Sequence, residues 1–275
     1  MGQDIRNEIF RNEENTRVVA VITATVPGVI VGIEELKEKA KEIGVNVLYA
    51  VEEGSEVKPG DIIVKIEGKP KQIAIAEDTL LGIISKPSGV ATVARNAVKL
   101  ADKKITIVSG GWKKVLPEVK RKLRIAASIG GVKTRIAEHP FIYLDKNYVR
   151  IFGGIRQALE AVKSLPGTKV VQLKGETKSI EEEAIEAVLA GADIIMVDTG
   201  NVEDLRKVTQ TLRQNGVRER VKVAFAGGVT LSQIPLLTRE DVDILDIGRA
   251  VIDAPLLDVR LDVVEVHREG ESSGS

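Results

Sequence analysis

The fold is decided by the stretch "VKVAFAGGVTLSQIPLLTREDVDILDIGRAV", residues 221–251. It holds two short apolar runs, at 221–225 and 243–247, and each run leads into a turn that contains glycine, at 226–228 and 247–249. Short apolar runs bounded by glycine predict buried strands. Strands of this kind, separated by longer polar segments, are typical of a parallel sheet that is covered on both faces.

The same pattern extends back to about residue 96. Strand-like runs occur at 104–108, 141–144, 169–173 and 194–197, and helical stretches at 116–128, 154–164, 179–190 and 202–214. Six repeated strand–helix units predict a closed or nearly closed α/β barrel. No strand is followed by the glycine fingerprint of dinucleotide-binding folds, which disfavours an open doubly wound sheet.

The first 95 residues follow a different pattern. "VVAVITATVPGVIVG" (18–32) predicts strand, turn and strand, and the periodic stretch 33–44 predicts a helix that stops at Gly44. Residues 47–68 alternate between short strands and glycine turns. They resemble the half-barrel of biotinyl or lipoyl carriers, but no lysine lies between two small residues at a hairpin tip. We therefore predict a small α/β sandwich (half-barrel) that is not a carrier.

The predicted organisation is thus an α/β protein with two domains. Residues 1–95 form the N-terminal sandwich and residues 96–257 the barrel. The alternating stretch 258–268 is expected to return as a strand to the small domain, and the polar residues 269–275 to be a disordered tail.

Composition excludes several classes of function. Forty basic residues balance forty acidic ones, so no overall charge attracts nucleic acid or an anionic membrane. The absence of cysteine and the presence of two histidines argue against a cysteine or histidine metal site. No apolar stretch reaches the roughly 20 residues of a membrane span. We expect a cytoplasmic protein without a metal site made by its own side chains.

The two glycine turns of the opening stretch predict a phosphate site. In α/β barrels, the loops after the last two strands often bind phosphate at the carboxyl end of the sheet. Glycine lets backbone N–H groups approach an anion closely. The predicted contacts are Ala226, Gly227, Gly228, Gly248 and Arg249. The alternative is that these glycines only permit tight turns.

Several segments together resemble the nicotinate-nucleotide pyrophosphorylase, or quinolinate phosphoribosyltransferase, family. They are "EDTLLGIISKPSGVAT" (77–92), 126–131, "AGADIIMVD" (190–198), "AFAGGVT" (224–230) and the final "DILDIGR" (243–249). They occur in the order found in the family, over residues 18–252.

The resemblance implies a pentosyltransferase of NAD biosynthesis. Such an enzyme transfers a phosphoribosyl group from phosphoribosyl pyrophosphate, with Mg²⁺, to quinolinate, and releases pyrophosphate and CO₂. It also implies a homodimer. Asp198 matches the aspartate of the family's Leu-Asp-Asn signature and follows a predicted strand, so we assign it a catalytic role; capping the next helix is the alternative. Lys146 is the second catalytic candidate, although it is shifted by one residue from the family's lysine.

The residues expected to bind the acceptor depart from the family. The Asp-Thr-Arg-Lys motif is replaced by "SGGWKKVLP" (109–117), which leaves Lys113 and Lys114 without the arginine. Trp112 either stacks on a planar ring or covers the barrel mouth. The family's Asn-His-Arg motif is replaced by Lys-Thr-Arg at 133–135, which keeps the arginine as Arg135 and loses the histidine. The family's paired glutamates are replaced by Gln172 and Lys174, and the serine before its two glycines is replaced by Ala226. In the family, an arginine that follows a glutamate reaches the site from the partner subunit. Here the residue that follows Glu77 is Asp78.

The predicted substrate-binding residues are therefore Trp112, Lys113, Lys114, Arg135 and Lys174. The positive charge of the three lysines and the arginine indicates a phosphorylated small-molecule substrate. A paralogue that binds a phosphorylated sugar or nucleotide without the quinolinate reaction is the alternative. A third possibility is an unrelated phosphate-handling barrel in which Lys146 or Lys174 forms a Schiff base.

Overall fold

The computed structural model describes residues 4–268 and divides them into two compact units. One unit comprises residues 4–95, 121–130 and 254–268, and the other comprises 96–120 and 131–253. The first unit therefore takes segments from three parts of the chain. The predicted tail, 269–275, lies outside the described residues.

Residues 4–101 supply three strands of an antiparallel sheet, a separate pair of short strands and three helices. The elements are α1 (Arg6–Ile9), β1 (Thr16–Ala24), β2 (Gly28–Val29), α2 (Ile33–Ile43), β3 (Asn46–Ala50), β4 (Glu56–Val57), β5 (Ile62–Gly68) and α3 (Pro70–Ala101). The predicted helix at 33–44 is confirmed as α2. Its apolar residues Ile33, Leu36 and Ala40 share one buried face, and Gly44 ends it in a left-handed conformation.

The remaining chain alternates between strands and helices. The elements are β6 (Thr106–Val108), α4 (Pro117–Gly130), β7 (Phe141–Leu144), α5 (Lys146–Phe152), α6 (Ile155–Ala161), β8 (Thr168–Leu173), α7 (Ile180–Leu189), β9 (Ile194–Asp198), α8 (Val202–Gln214), β10 (Lys222–Ala226), α9 (Ile234–Leu237), β11 (Ile244–Asp246), α10 (Gly248–Ile252) and β12 (Val259–Arg268). All six strands predicted here are present, within about two residues of their predicted ends.

The small unit is built on a four-stranded antiparallel sheet in the order β12-β1-β5-β3. β12 pairs along the whole of β1, from Thr16 opposite Arg268 to Ala24 opposite Val259. Strands β2 and β4 form a separate antiparallel pair. The sheet core is aliphatic and includes Ile22, Ile66 and Leu80, none of which is exposed.

Helix α3 was not predicted, because Pro87 and Gly89 in "SKPSG" are typical of a turn. The helix continues through them, and its polar residues bind neighbouring backbone: Ser88 Oγ accepts from Val31 N at 2.9 Å, and Thr92 Oγ1 accepts from Val29 N at 2.9 Å. A Cβ on Gly89 would lie 1.8 Å from the carbonyl oxygen of Pro255. This part of the sequence motif therefore serves packing within the small unit.

The second unit contains a parallel six-stranded sheet in the order β6-β11-β10-β9-β8-β7. Side chains from all six strands meet in one apolar cluster, made by Val108, Phe141, Tyr143, Val170, Ile194, Met196, Ala224, Ala226 and Ile244 together with Ile136 and Ala137. Since the two edge strands β6 and β7 contribute to the same interior, the sheet is curled as predicted. A backbone bridge between Val108 and Lys133 attaches β6 to the segment that leads to β7.

Candidate active site at the carboxyl ends of the barrel strands

Polar side chains replace apolar ones at the last inward position of three of the six strands, β8, β9 and β11. Val170, Met196 and Ile244 face the interior, and strand side chains alternate, so the residues two positions on face the same side. These residues are Gln172, Asp198 and Asp246. The carboxyl end of the barrel is therefore polar and carries two carboxylates.

Asp198 is contacted by an amide and an ammonium group. Gln172 Nε2 donates to Asp198 Oδ2, and Lys174 Nζ lies 3.5 Å from the same oxygen. Lys174 Nζ also donates to the backbone oxygen of Asp198. The following helix α8 is capped by Asn201, whose side chain accepts from Glu203 N at 3.1 Å. Asp198 is therefore not the helix cap, and its carboxylate belongs to the barrel end.

A buried glutamate fixes the loop that carries Lys174. Glu183, on α7, is 2% exposed and accepts hydrogen bonds from four consecutive backbone N–H groups, those of residues 174–177, at 2.8–3.0 Å. A buried charge of this kind is stable only when hydrogen bonds satisfy it. Glu183 was not predicted as a site residue, because its position on a helix four residues after the cap Ser179 gives no sign of these contacts.

Asp246 links the loops after β6 and β11. Its Oδ1 accepts from Gly110 N at 2.8 Å and from Gly248 N at 2.9 Å. Burial raises the pKa of this carboxyl, the two N–H groups oppose that rise, and the negative charge of Asp198 adds to it. Asp246 was not predicted as a site residue, although it lies at the end of an apolar strand just as Asp198 does.

Tyr143 faces the same carboxylates from β7. Burial is the largest cause that raises the pKa of its phenol, followed by the charges of Asp198, Asp246 and Asp145. The hydroxyl therefore stays protonated and can donate a hydrogen bond at this end of the barrel. Tyr143 was not predicted as a site residue, since an aromatic residue in an apolar run is typical of a hydrophobic core.

The acceptor-binding candidates lie in loops at the strand ends. Trp112 is buried, and its Nε1 donates to Ser109 O at 2.7 Å, so the indole anchors the loop after β6. Lys113 Nζ is 3.5 Å from Asp145 Oδ2. Lys114 and Arg135 are exposed. Both predicted roles of Trp112, stacking on a planar ring and covering the barrel mouth, stay predictions.

Lys146 lies at the start of a helix, not at a strand end. Asp145 caps α5, so Lys146 occupies its first turn and its side chain is exposed. Its backbone N donates to Gln172 Oε1 at 2.7 Å. The catalytic role of the Lys146 side chain stays a prediction, whereas its backbone helps to orient the amide that contacts Asp198.

The glycines of the predicted phosphate site differ in their surroundings. A Cβ on Gly227 would lie 2.2 Å from Gly200 N, and a Cβ on Gly248 would lie 2.6 Å from Gly110 O, so both positions need glycine for packing. Gly228, at φ +89°, faces open space. Arg249 is largely exposed and pairs with Asp253 at 3.1 Å. Gly227 and Gly228 are both exposed, so the backbone of this turn is open to an anion. The phosphate role of the whole set, including Ala226, stays a prediction.

Within the described range 4–268, no three histidine, aspartate or glutamate side chains are grouped so as to hold a metal ion. Among the same residues, no helix combines the length and apolar character that crossing a membrane requires.

Comparison with known proteins identifies relatives along both units. The family model for the N-terminal domain of quinolinate phosphoribosyl transferase matches residues 4–88, and the model for its C-terminal domain matches residues 90–262. The probable nicotinate-nucleotide pyrophosphorylase [carboxylating] of Methanothermobacter thermautotrophicus is 28% identical over 266 residues, which cover 95% of this chain and 93% of that protein. The corresponding protein of Archaeoglobus fulgidus is 29% identical over 250 residues, covering 90% and 95%.

Solved structures of similar proteins share the fold. The nicotinate-nucleotide pyrophosphorylase from Pyrococcus furiosus aligns with a TM-score of 0.80 at 25% identity, over 98% of this chain and 76% of that chain. The NadC of Streptococcus pyogenes aligns with a TM-score of 0.78 at 19% identity, over 96% and 92%. With both of its units matched in order, the chain belongs to the quinolinate phosphoribosyl transferase family.

Proposed function

We propose that this protein is a phosphoribosyltransferase that transfers the phosphoribosyl group of phosphoribosyl pyrophosphate to the ring nitrogen of quinolinate, as the family resemblance implies. A C–N bond forms at the anomeric carbon of the ribose, the C–O bond to pyrophosphate breaks, and the quinolinate product then loses CO₂. The observation that carries the proposal is the polar carboxyl end of the barrel, with Asp198 held by Gln172 and Lys174.

Asp198 is suited to the sugar end of the reaction. As pyrophosphate leaves, positive charge develops on the ribose, and a carboxylate held in advance stabilises it without reorganisation. Gln172 is 8% exposed and Asp198 is 26% exposed, so the carboxylate is shielded but open to a ligand. Lys146 N keeps the Gln172 amide in one orientation, which leaves its NH₂ group facing Asp198.

Cationic side chains and an exposed glycine turn are suited to binding the phosphate and carboxylate groups of the two substrates. The backbone at Gly228 and the side chain of Arg249 would contact phosphate. Lys113, Lys114 and Arg135 would contact the carboxylates of the acceptor. Lysine makes a point contact where arginine would make a two-pronged one, so we expect weaker discrimination between pyridine mono- and dicarboxylates than an arginine would give.

Magnesium fits this site as part of the substrate. The residues do not form a resident metal site: Asp198 Oδ2 already contacts Gln172 and Lys174, and Asp246 Oδ1 already accepts two N–H groups. Mg²⁺ is commonly held by substrate phosphates and water with few protein ligands. We propose that phosphoribosyl pyrophosphate enters as its magnesium complex.

We also propose that the protein is cytoplasmic, as its composition leads us to expect, and that it forms a homodimer or a higher homo-oligomer, as the family resemblance implies. Apolar side chains exposed on the edge strand β12, namely Val263, Val264 and Val266, support an association surface on the small unit. Light scattering of the purified protein measures the oligomeric state, and a monomer across the micromolar range would contradict the homodimer.

Pyrophosphate release tests the activity directly. The purified chain is given phosphoribosyl pyrophosphate, Mg²⁺ and either quinolinate or nicotinate, and both pyrophosphate and the mononucleotide are followed. We expect release with quinolinate, accompanied by CO₂ from its carboxyl group. Release with neither acid would overturn the proposal, and release with nicotinate alone would restrict it to a transfer without decarboxylation.

A further inference from the structure

The carboxylate of Asp198 has a cation of the same chain against it. Lys174 Nζ is 3.5 Å from Asp198 Oδ2 and also donates to the backbone oxygen of Asp198. The two side chains are 29% and 26% exposed, which is low for a lysine and an aspartate at a strand end. A positive charge therefore lies beside the carboxylate oxygen that a metal ion would use.

The position of Lys174 is set by its loop. Glu183 Oε2 accepts from the N–H groups of Lys174 and Gly175, and Glu183 Oε1 accepts from those of Glu176 and Thr177. Thr177 Oγ1 gives Oε1 a further hydrogen bond of 3.0 Å. Both oxygens of one buried carboxylate thus hold four consecutive residues, so the backbone that carries Lys174 has lost most of its freedom before any ligand binds.

Gln172 binds the same oxygen of Asp198. Its Oε1 accepts from Lys146 N at 2.7 Å, so its NH₂ group is the part that donates to Asp198 Oδ2. This oxygen therefore accepts one hydrogen bond, and the ammonium group of Lys174 lies 3.5 Å from it as an ion pair. A divalent ion would have to displace the amide from this oxygen and would be repelled by the ammonium charge.

We propose that Lys174 is a built-in cation that keeps Asp198 from binding a divalent ion, and that Glu183 is the positioning residue that holds it there. This inference deepens the proposed function, because it concerns the same carboxylate: a metal would reach the site only on the phosphates of a substrate. Its test needs no substrate, so its outcome is separate from that of the activity assay.

The experiment is a titration of the full-length protein with Mn²⁺ alone, followed by the electron paramagnetic resonance signal of free Mn²⁺. The wild-type chain and Asp198→Asn are expected to bind Mn²⁺ equally weakly. Lys174→Glu is expected to bind about tenfold more tightly or better, since affinity for such ions rises with the number of carboxylates. The double variant Lys174→Glu/Asp198→Asn should lose that gain.

A matched control is Lys222→Glu, which makes the same charge change at the amino end of β10. It should bind Mn²⁺ as the wild type does. Glu183→Gln should show a smaller gain than Lys174→Glu, and adding Asp198→Asn should remove it. A Glu183 that served only the stability of the loop would lower the melting temperature without any Asp198-dependent Mn²⁺ binding.

Tighter Mn²⁺ binding by the wild type than by Asp198→Asn would overturn the proposal, and this comparison does not depend on the folding of any Lys174 variant. A folded Lys174→Glu that binds no better than the wild type would also overturn it. A gain in Lys222→Glu equal to that in Lys174→Glu would assign the effect to net charge and overturn the specific role of Lys174.

Discussion

Carboxyl groups at the two ends of the barrel strands have pKa values shifted in opposite directions. At the amino ends of β10 and β11, Arg218 is 9% exposed and donates to Asp241 at 3.0 Å, Asp243 at 2.9 Å and Val221 O at 3.0 Å. Burial works to raise the pKa of Asp241, but Arg213 and Arg218 outweigh it, so the pKa is lowered. At the carboxyl ends, the pKa of Asp246 is raised instead.

This difference indicates that the amino end of the sheet contributes to stability and that the carboxyl end contributes to function. The amino end has a carboxylate in its preferred charged state between two arginines. The carboxyl end holds Asp246 in an environment that disfavours its charge, near a second carboxylate and a tyrosine. Unfavourable electrostatics of this kind collect at functional sites, and barrel enzymes carry their active sites at the carboxyl end.

The largest expected effect separates the two ends of a single strand. Asp198→Asn should lower kcat/KM about 10²- to 10³-fold, as expected when one electrostatic contact to the transition state is lost. Asp193→Asn, at the amino end of β9, should leave kcat/KM unchanged, because Asp193 accepts from Lys169 N at 2.7 Å and lies away from the carboxyl end. Equal losses in both variants would break the comparison.

The next largest effect is on stability and concerns the ion pairs of Arg218 with Asp241 and Asp243 at the amino ends of the strands. Arg218→Ala should lower the free energy of unfolding by about 3 kcal/mol, since it leaves Asp241 and Asp243 without their buried partner. Arg213→Ala removes a largely exposed arginine from the same Asp241 and should cost about 0.5 kcal/mol. Urea unfolding measures both values, and a similar small cost for both would show that burial of Arg218 contributes little.

A smaller effect distinguishes the two glycines after β10. Gly227→Ala should destabilise the fold by about 3 kcal/mol, because a Cβ would overlap Gly200 backbone and φ is +109°. Gly228→Ala adds only the strain of a positive φ, about 1 kcal/mol. We expect Gly228→Ala also to raise the KM for phosphoribosyl pyrophosphate; an unchanged KM would argue against phosphate at this turn.

The smallest effect is a pH dependence of opposite sign at the two ends. The raised pKa of Asp246 means that the folded state binds its proton more tightly than the unfolded state, so stability is lost as pH rises above about 3.8. Asp246→Asn should therefore gain stability relative to the wild type on going from pH 3.5 to 7.

The lowered pKa of Asp241 stabilises the fold at neutral pH, and this contribution is lost as pH falls below about 3.8. Asp241→Asn should therefore lose stability relative to the wild type as pH rises over the same range. Urea unfolding at several pH values measures both differences, and a common sign would contradict the comparison.

Much of the fold was predictable from local patterns. Each barrel strand is a short apolar run bounded by glycine or a polar turn, so its existence and parallel pairing followed from sequence. Helix α3 was not predictable, because Pro87 and Gly89 are local turn signals, and the contacts of Ser88 and Thr92 with β2 and the following residues outweigh them.

The candidate site was predictable only in part. Asp198 could be selected because it ends an apolar strand and matches a family motif. Asp246 and Glu183 were missed, since only the folded loops bring them against the amides that they bind. Asp246 binds Gly110 N, 136 residues away, and Glu183 binds the backbone of the loop after β8 from a helix.

The amino-acid sequence by itself determined the alternation of strands and helices, the family, and the carboxylate Asp198, because hydrophobic periodicity and short motifs are local properties of the chain. Only the tertiary structure decided that Lys174 lies against Asp198 and that Asp246 joins two loops. It also decided that Arg218 binds two carboxylates at the opposite end of the strands. These contacts depend on strand order and the curl of the sheet, which bring side chains from distant segments within hydrogen-bonding distance.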